Sequence, residues 1–248
     1  MAEYLLININ NTRTKFALAD RDSIRPERHI EETRELDFAA LRWVATGWDY
    51  KRPVLTSVVP EKTAFARELF GQQLLEVGHD LTLGVSLDFP NPTTIGADRL
   101  ANAAGLIALF DEAPAIAVDF GSAVTFDIIS AERAYVGGII APGLNAMTDY
   151  LHERTALLPK IEIEEPDQLI GKSTKSAMLS GAVHGYRVLV KEILQQLREE
   201  LAEGGEVKTV ATGGYAELIS REIAGIDAVR PDLTFEGMRV IANLNPTS

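Results

Sequence analysis

With 248 residues, 46% of them hydrophobic, the chain can bury a substantial core and is long enough for one large domain or two smaller ones. Its 36 acidic and 24 basic residues leave a net charge of −12, a field that repels nucleic acid and anionic lipid, so an anion must be bound by local means such as backbone N–H groups, a helix N-terminus or a bound cation. Cysteine is absent, which excludes disulfides and thiolate metal sites, and no window spans a membrane as a helix; with an N-terminus that lacks a basic region before a long apolar run, the reading is a cytoplasmic protein without nucleic-acid or membrane partners.

In chain order, Tyr4 to Ile9 is an apolar strand, Asn10 and Asn11 tolerate positive φ, and Lys15 to Ala19 resumes as a second strand, which makes a hairpin. Residues 21 to 50 are charged and then amphipathic, with Leu36, Ala39, Ala40, Trp43 and Val44 spaced for one helix face. Pro53 to Val59 reads as a strand, Lys62 to Leu69 as a helix and Leu81 to Leu87 as a further strand. Between Phe89 and Arg99 two prolines, Pro90 and Pro92, enforce an extended approach to a helix over Leu100 to Phe110. Asp98 and Arg99 therefore fall at or just inside a helix start. Asp98 is either a first-turn acid favoured by the helix dipole or a working base, and Arg99 either a surface side chain or a bidentate clamp for a carboxylate.

Ala115 to Val118 and Ala123 to Ile129 are strands on either side of Gly121-Ser122, a gap short enough only for a hairpin. Asp119 sits at that bend, either as turn support or as a ligand. Laid over the first hairpin at a constant offset of 111 residues, Asn8 falls opposite Asp119, Asn10 opposite Gly121 and Thr14 opposite Thr125, the pattern of a duplicated lobe. Tyr135 to Gly143 then reads as a strand with a glycine pair, Gly137-Gly138, that permits close backbone approach. Leu144 to Leu151 is a helix, residues 158 to 167 a solvated loop, and Ser176 to Ala202 a long helix with an apolar stripe. Gly171-Lys172-Ser173-Thr174 is not the end of a P-loop, since Pro166 stands where that motif has its first glycine. Val207 to Thr212 is a strand that runs into Gly213-Gly214 and a helix near Ala216. That turn is either a tight strand-to-helix connection or the place where a flat nucleotide group passes the backbone.

Asn8 to Lys15, Gly96-Ala97-Asp98-Arg99, Asp119-Phe120-Gly121-Ser122, Gly137 to Gly143, Gly171 to Thr174 and Ala211 to Gly214, in this order and spacing, resemble type III pantothenate kinases. The resemblance spans nearly the whole chain. It implies an α/β fold of duplicated ribonuclease-H-like (actin-like ATPase) lobes, mixed sheets flanked by helices, divided as 1–112 and 113–248 with the active site in the interlobe cleft. It also implies a homodimer, ATP as phosphoryl donor, Mg²⁺, a monovalent cation (K⁺ or NH₄⁺), and pantothenate as substrate in the first step of coenzyme A synthesis. Carried over by position, Asp98 is the general base, and Gly96, Ala97 and Arg99 bind pantothenate, as do Phe89 and Thr174. Asn8, Ile9, Asn10, Asn11, Thr12, Arg13, Thr14 and Lys15 form the first phosphate-binding turn, Ser122 is a nucleotide contact, Gly213 and Gly214 lie on the adenosine side, and Asp119 holds the monovalent cation. His152, Arg154 and Thr155 stand where the family's partner subunit approaches the substrate.

The chain departs from the family pattern at three of these positions. Asn8 and Asn10 stand where the first motif has aspartate and glycine, and Phe89 stands where the family commonly has tyrosine. The first change removes a carboxylate from the phosphate turn, so metal binding weakens. The third removes a hydroxyl, at a cost of roughly 0.5–1.5 kcal/mol for a neutral hydrogen bond. A divergent, catalytically weak member that binds nucleotide or pantothenate in a regulatory role is the alternative reading, and a kinase for a different small hydroxy-acid is a third.

Overall fold

A computed structural model of the protein describes residues 1–110 and 114–246. The chain forms two compact units, one comprising Met1–Asp111, Arg133–Val136 and Asp232–Ser248, the other Glu112–Glu132 and Gly137–Pro231. The boundary expected between residues 112 and 113 lies outside the described residues.

The first unit is built on a five-stranded sheet. Strands β1 (Ala2–Ile9), β2 (Arg13–Ala19), β3 (Ile24–Glu32), β4 (Tyr50–Ser57) and β5 (Leu75–Glu76) lie in the order β3-β2-β1-β4-β5. β1 to β3 form an antiparallel meander, whereas β4 joins β1 in parallel after a crossover through helix α1 (Phe38–Thr46). The central strand β1 is buried on both faces, with Leu5, Leu6, Ile7 and Ile9 fully enclosed, and its apolar run made it visible in the sequence. β3 was hidden, because its residues Ile-Arg-Pro-Glu-Arg-His-Ile-Glu-Glu form a polar edge strand with no fully buried position. Helix α2 (Pro60–Phe70) follows β4. The strand expected over Leu81 to Leu87 shortens to the two residues of β6 (Ser86–Leu87).

Helix α3 (Ala97–Leu109) carries the expected apolar face, buried from Leu100 to Ile107. It packs against helix α7 (Leu233–Leu244). The two approach so closely that a Cβ on Gly237 would stand 1.7 Å from the Ala101 carbonyl oxygen, and one on Gly105 would stand 2.6 Å from that of Leu233. Glycine at both positions is a packing requirement.

The second unit repeats the pattern. Strands β7 (Ala115–Phe120), β8 (Ala123–Ile129), β9 (Ala134–Pro142, belonging to this unit from Gly137 on), β10 (Lys208–Thr212) and β11 (Ala228–Val229) lie in a sheet of order β11-β10-β7-β8-β9-β6, with β7 and β8 antiparallel and β10 parallel to β7. Helices α4 (Leu144–Arg154) and the long α5 (Thr174–Leu201) make the crossover, and α6 (Ala216–Ser220) follows β10. The core holds Ile116, Val118 and Phe126 from the sheet and Val183, Tyr186, Val190 and Leu194 from the α5 stripe.

Register corrects one detail of the duplication. Tyr4 pairs with Ala19 and Asn8 with Lys15 in the first hairpin, while Ala115 pairs with Ile129 and Asp119 with Thr125 in the second. The first strands therefore correspond at an offset of 111 residues and the second strands at 110. Thr14 is matched structurally by Val124 and not by Thr125, because the turn of the second hairpin is one residue shorter. The correspondence extends further than the sequence overlay, since Asn8 lies beside Thr56 of β4 as Asp119 lies beside Thr212 of β10.

Candidate active site

Gly96 caps the N-terminus of α3, and its lack of a side chain has a specific use. A Cβ there would stand 2.6 Å from Asp98 Oδ1, so glycine lets the carboxylate fold back over the helix start. Asp98 Oδ1 accepts a hydrogen bond from the Arg99 backbone N–H at 2.9 Å. That bond and the Arg99 charge favour the carboxylate, but burial dominates and raises its proton affinity above that of an ordinary aspartate. A carboxylate so placed is a stronger proton acceptor than one in water.

Arg99 is anchored on its own side. Its guanidinium carbon lies 5.8 Å from the centroid of the Tyr135 ring, and Phe89 packs on the same ring with centroids 6.1 Å apart. The approach from Phe89 to the helix is stiffened by a short 3₁₀ turn at Pro92–Thr94, where Thr94 Oγ1 donates to the Asn91 carbonyl at 2.8 Å. Phe89, Gly96, Ala97, Asp98 and Arg99 are thus gathered within the first unit. Tyr135 was not among the residues expected to take part. It is fully buried and precedes the glycine pair already singled out, but a ring contact across 36 residues leaves no local periodic mark.

In the first hairpin Asn8 is buried, and its Oδ1 accepts from Thr56 Oγ1 at 3.1 Å. The turn is closed by the Asn10 N–H bonding to the Arg13 carbonyl, which leaves Asn11, Thr12 and Arg13 exposed. Thr33 pins it from behind, donating to the Asn10 carbonyl at 2.7 Å and meeting Thr14 Oγ1 at 3.0 Å. Ile9 is a core residue, so its side chain is not available to a ligand. Lys15, Asn8 and Thr56 are register partners on adjacent strands and share one face of the sheet.

The matching row in the second unit is Thr125, Asp119 and Thr212. Gly213 follows with φ +91°, a left-handed conformation, and a Cβ there would lie 2.4 Å from Asp119 Oδ1 and 2.6 Å from the Phe120 nitrogen. Glycine lets the turn after β10 pack directly against the carboxylate and the Phe120 backbone. Around Gly214 a Cβ would meet nothing within 4 Å. Ser122 is exposed at the hairpin turn, and Gly143 packs against that turn, its N–H bonding to the Ser122 carbonyl at 3.2 Å. A Cβ on Gly143 would stand 2.4 Å from the same oxygen. Close backbone approach therefore falls on Gly143, whereas Gly137 is required for its own φ of +128°.

Thr174 is the first residue of α5, exposed, and lies within the capping box formed by Ser173 and Ser176. His152 and Thr155 at the end of α4 both bind locally, His152 Nδ1 to the Leu158 carbonyl at 2.9 Å and Thr155 Oγ1 to the Leu151 carbonyl at 2.8 Å.

Among the described residues no group of three or more His, Asp or Glu side chains forms a cage for a metal ion. The donors present, the half-buried Asp119 carboxylate and a row of threonines, fit a cation that takes most of its ligands from phosphate and water.

The profile of type III pantothenate kinases matches residues 4–196. A type III pantothenate kinase from Akkermansia muciniphila is 49% identical over 242 residues, covering 98% of this chain and 99% of its own. One from Methylacidiphilum infernorum is 41% identical, covering 97% and 88%. Among solved structures, the inorganic polyphosphate/ATP-glucomannokinase from Arthrobacter superposes with a TM-score of 0.52 at 12% identity over 97% of this chain and 98% of that one. Acetate kinase from Porphyromonas gingivalis does so with a TM-score of 0.50 at 10% identity over 98% and 99%. At such identities the structures speak for the fold alone, which is the expected actin-like α/β architecture of mixed sheets flanked by helices. The sequence relatives speak for more, and by them the chain belongs to the type III pantothenate kinase family.

Proposed function

We propose that the protein transfers the γ-phosphoryl group of ATP to the hydroxyl of pantothenate, giving 4′-phosphopantothenate in the first step of coenzyme A synthesis. The observation that carries this reading, beside family membership, is the pairing on one helix turn of a carboxylate of raised proton affinity, Asp98, with a guanidinium held on an aromatic face, Arg99. Arg99 fixes the pantothenate carboxylate and Asp98 takes the hydroxyl proton. As the new oxygen–phosphorus bond forms, the bond from the γ-phosphorus to its bridging oxygen breaks and ADP leaves with the electron pair. Such transfer passes through a loose transition state and asks mainly for alignment and charge compensation.

The remaining roles follow the resemblance. The exposed residues Asn11 to Arg13, with Lys15, receive phosphate, Ser122 touches the nucleotide, and the open space at Gly214 suits the adenosine. Phe89 and Thr174 contact pantothenate, Asp119 holds K⁺ or NH₄⁺, and two chains form a cytoplasmic homodimer. Mg²⁺, if bound, would be held with the phosphates at the first hairpin turn beside Asn8 and would supply positive charge against theirs.

A second reading, a weak enzyme retained for binding, is favoured by one observation. The buried side chain at position 8 is a neutral amide engaged with Thr56. A coupled assay with ATP, pantothenate, Mg²⁺ and K⁺ separates the two, with turnover expected for the parent protein and a loss of about 10²–10⁴-fold for Asp98→Asn. No turnover in the parent with recovery in Asn8→Asp would establish the binding-protein reading instead.

A further inference from the structure

We propose that Tyr135 is the positioning residue of the carboxylate clamp, its ring serving as the platform that fixes the Arg99 guanidinium, and this rests on the reading of Arg99 as a pantothenate ligand. The guanidinium carbon at 5.8 Å from the ring centroid is within the distance at which a cation is held by the face of an aromatic ring, and Arg favours such stacking over Lys. Tyr135 has 0% exposure and Arg99 is half-buried, so the ring side of this contact is shielded from water.

The platform is itself held in place. β6 pairs in parallel with the first residues of β9, Ser86 with Ala134 and Leu87 with Tyr135, and the Asp88 N–H bonds to the Tyr135 carbonyl at 3.0 Å. That two-residue ladder sets the ring against Phe89, which packs on it at 6.1 Å. Its reason for existing is otherwise obscure, since two residue pairs add little stability by themselves. One ring thus coordinates two substrate-side groups that come from separate elements, Phe89 from the proline-stiffened approach and Arg99 from α3. An arginine with four side-chain torsions is thereby reduced to one working orientation before the carboxylate arrives, which lowers the entropy lost on binding. Phe89 has no hydroxyl to offer a ligand, and in this arrangement its use is to pack against the Tyr135 ring and hold it in place.

The test weakens the ring face without changing its shape. In a Tyr135→Phe protein, position 135 is filled in turn by phenylalanine and its 4-fluoro, 3,5-difluoro and 3,4,5-trifluoro analogues. The expected result is a KM for pantothenate that climbs along the series to about tenfold, with a smaller change in kcat and none in the KM for ATP or the melting temperature. A flat series would overturn the proposal, as would a parallel rise in both KM values. A second readout does not depend on pantothenate. The Arg99 Nε–Hε resonance is expected to be shifted by the ring current in the parent and to return toward its free value in Tyr135→Leu. An unshifted parent resonance overturns the proposal. A shifted resonance in a protein that does not use pantothenate leaves the platform standing and removes the substrate assignment.

Discussion

Asp98 carries two opposed demands, because the burial that makes it a better proton acceptor also makes its ionised form costly to the fold. Its proton affinity is raised on folding, so the folded state holds the proton to a higher pH than the unfolded one. Stability is therefore full at low pH and falls as pH rises from the ordinary aspartate range toward the shifted value, after which the loss is constant. Asp98→Asn is expected to melt above the parent at neutral pH and level with it in acid, while activity falls by about 10²–10⁴-fold. Melting curves at several pH values check the first part. Equal melting at every pH would show that burial does not perturb the carboxyl. The companion residue Asn8 makes the reverse argument. Asn8→Asp places a carboxylate at a site with 4% exposure, beside Thr56 and in register with Lys15. A buried charge without full pairing destabilises, so the variant is expected to melt below the parent when alone and to regain the difference with Mg²⁺ and ATP. A stability loss that the ligands do not reverse would separate position 8 from the phosphate site.

At the scale of elements, the glycines set the geometry and make sharp contrasts. Gly213→Ala meets a left-handed φ and the Phe120 backbone, which cannot yield, whereas Gly214→Ala, one residue on, meets open space. The first is expected to cost about 1–3 kcal/mol or more in backbone strain and the second within about 0.5 kcal/mol. Denaturant unfolding of the two variants measures the difference. If Gly214 borders the nucleotide, its variant raises the KM for ATP at unchanged stability. The same scale shows what a sequence discloses. Buried strands such as β1 and β7 announce themselves by apolar runs, and α3 and α5 by their spacing. β3 does not, since both of its faces lie near solvent and composition there is set by solubility. Gly143 was legible as part of a turn but not as the residue that seats the Gly121-Ser122 hairpin, because that contact is made in space. The one-residue difference between the two hairpin turns was likewise invisible, as an overlay at constant offset has no means of placing a deletion. Thr56 and Thr212 became partners of Asn8 and Asp119 only once strand register was known.

At the scale of the whole molecule, the two units repeat one topology but carry opposite charge in corresponding rows, Lys15 beside Asn8 in the first and Asp119 between threonines in the second. These local charges act within a chain of net charge −12, and both substrates of the proposed reaction are anions. Two fields therefore compete as a substrate approaches. The global one repels and acts from afar, and it is screened first, since the Debye length shortens from about 30 Å at 0.01 M salt to about 8 Å at 0.15 M. The local one, from Arg99 and Lys15, works at contact and is screened far less. Raising ionic strength between those limits with tetramethylammonium chloride, at fixed K⁺ and Mg²⁺, is thus expected to increase kcat/KM for pantothenate by a few-fold. A decrease would mean that the basic residues dominate the approach as well as the contact. Running Lys15→Gln beside the parent locates the effect, because a neutral row in the first unit leaves only Arg99 to oppose the global repulsion and steepens the salt response.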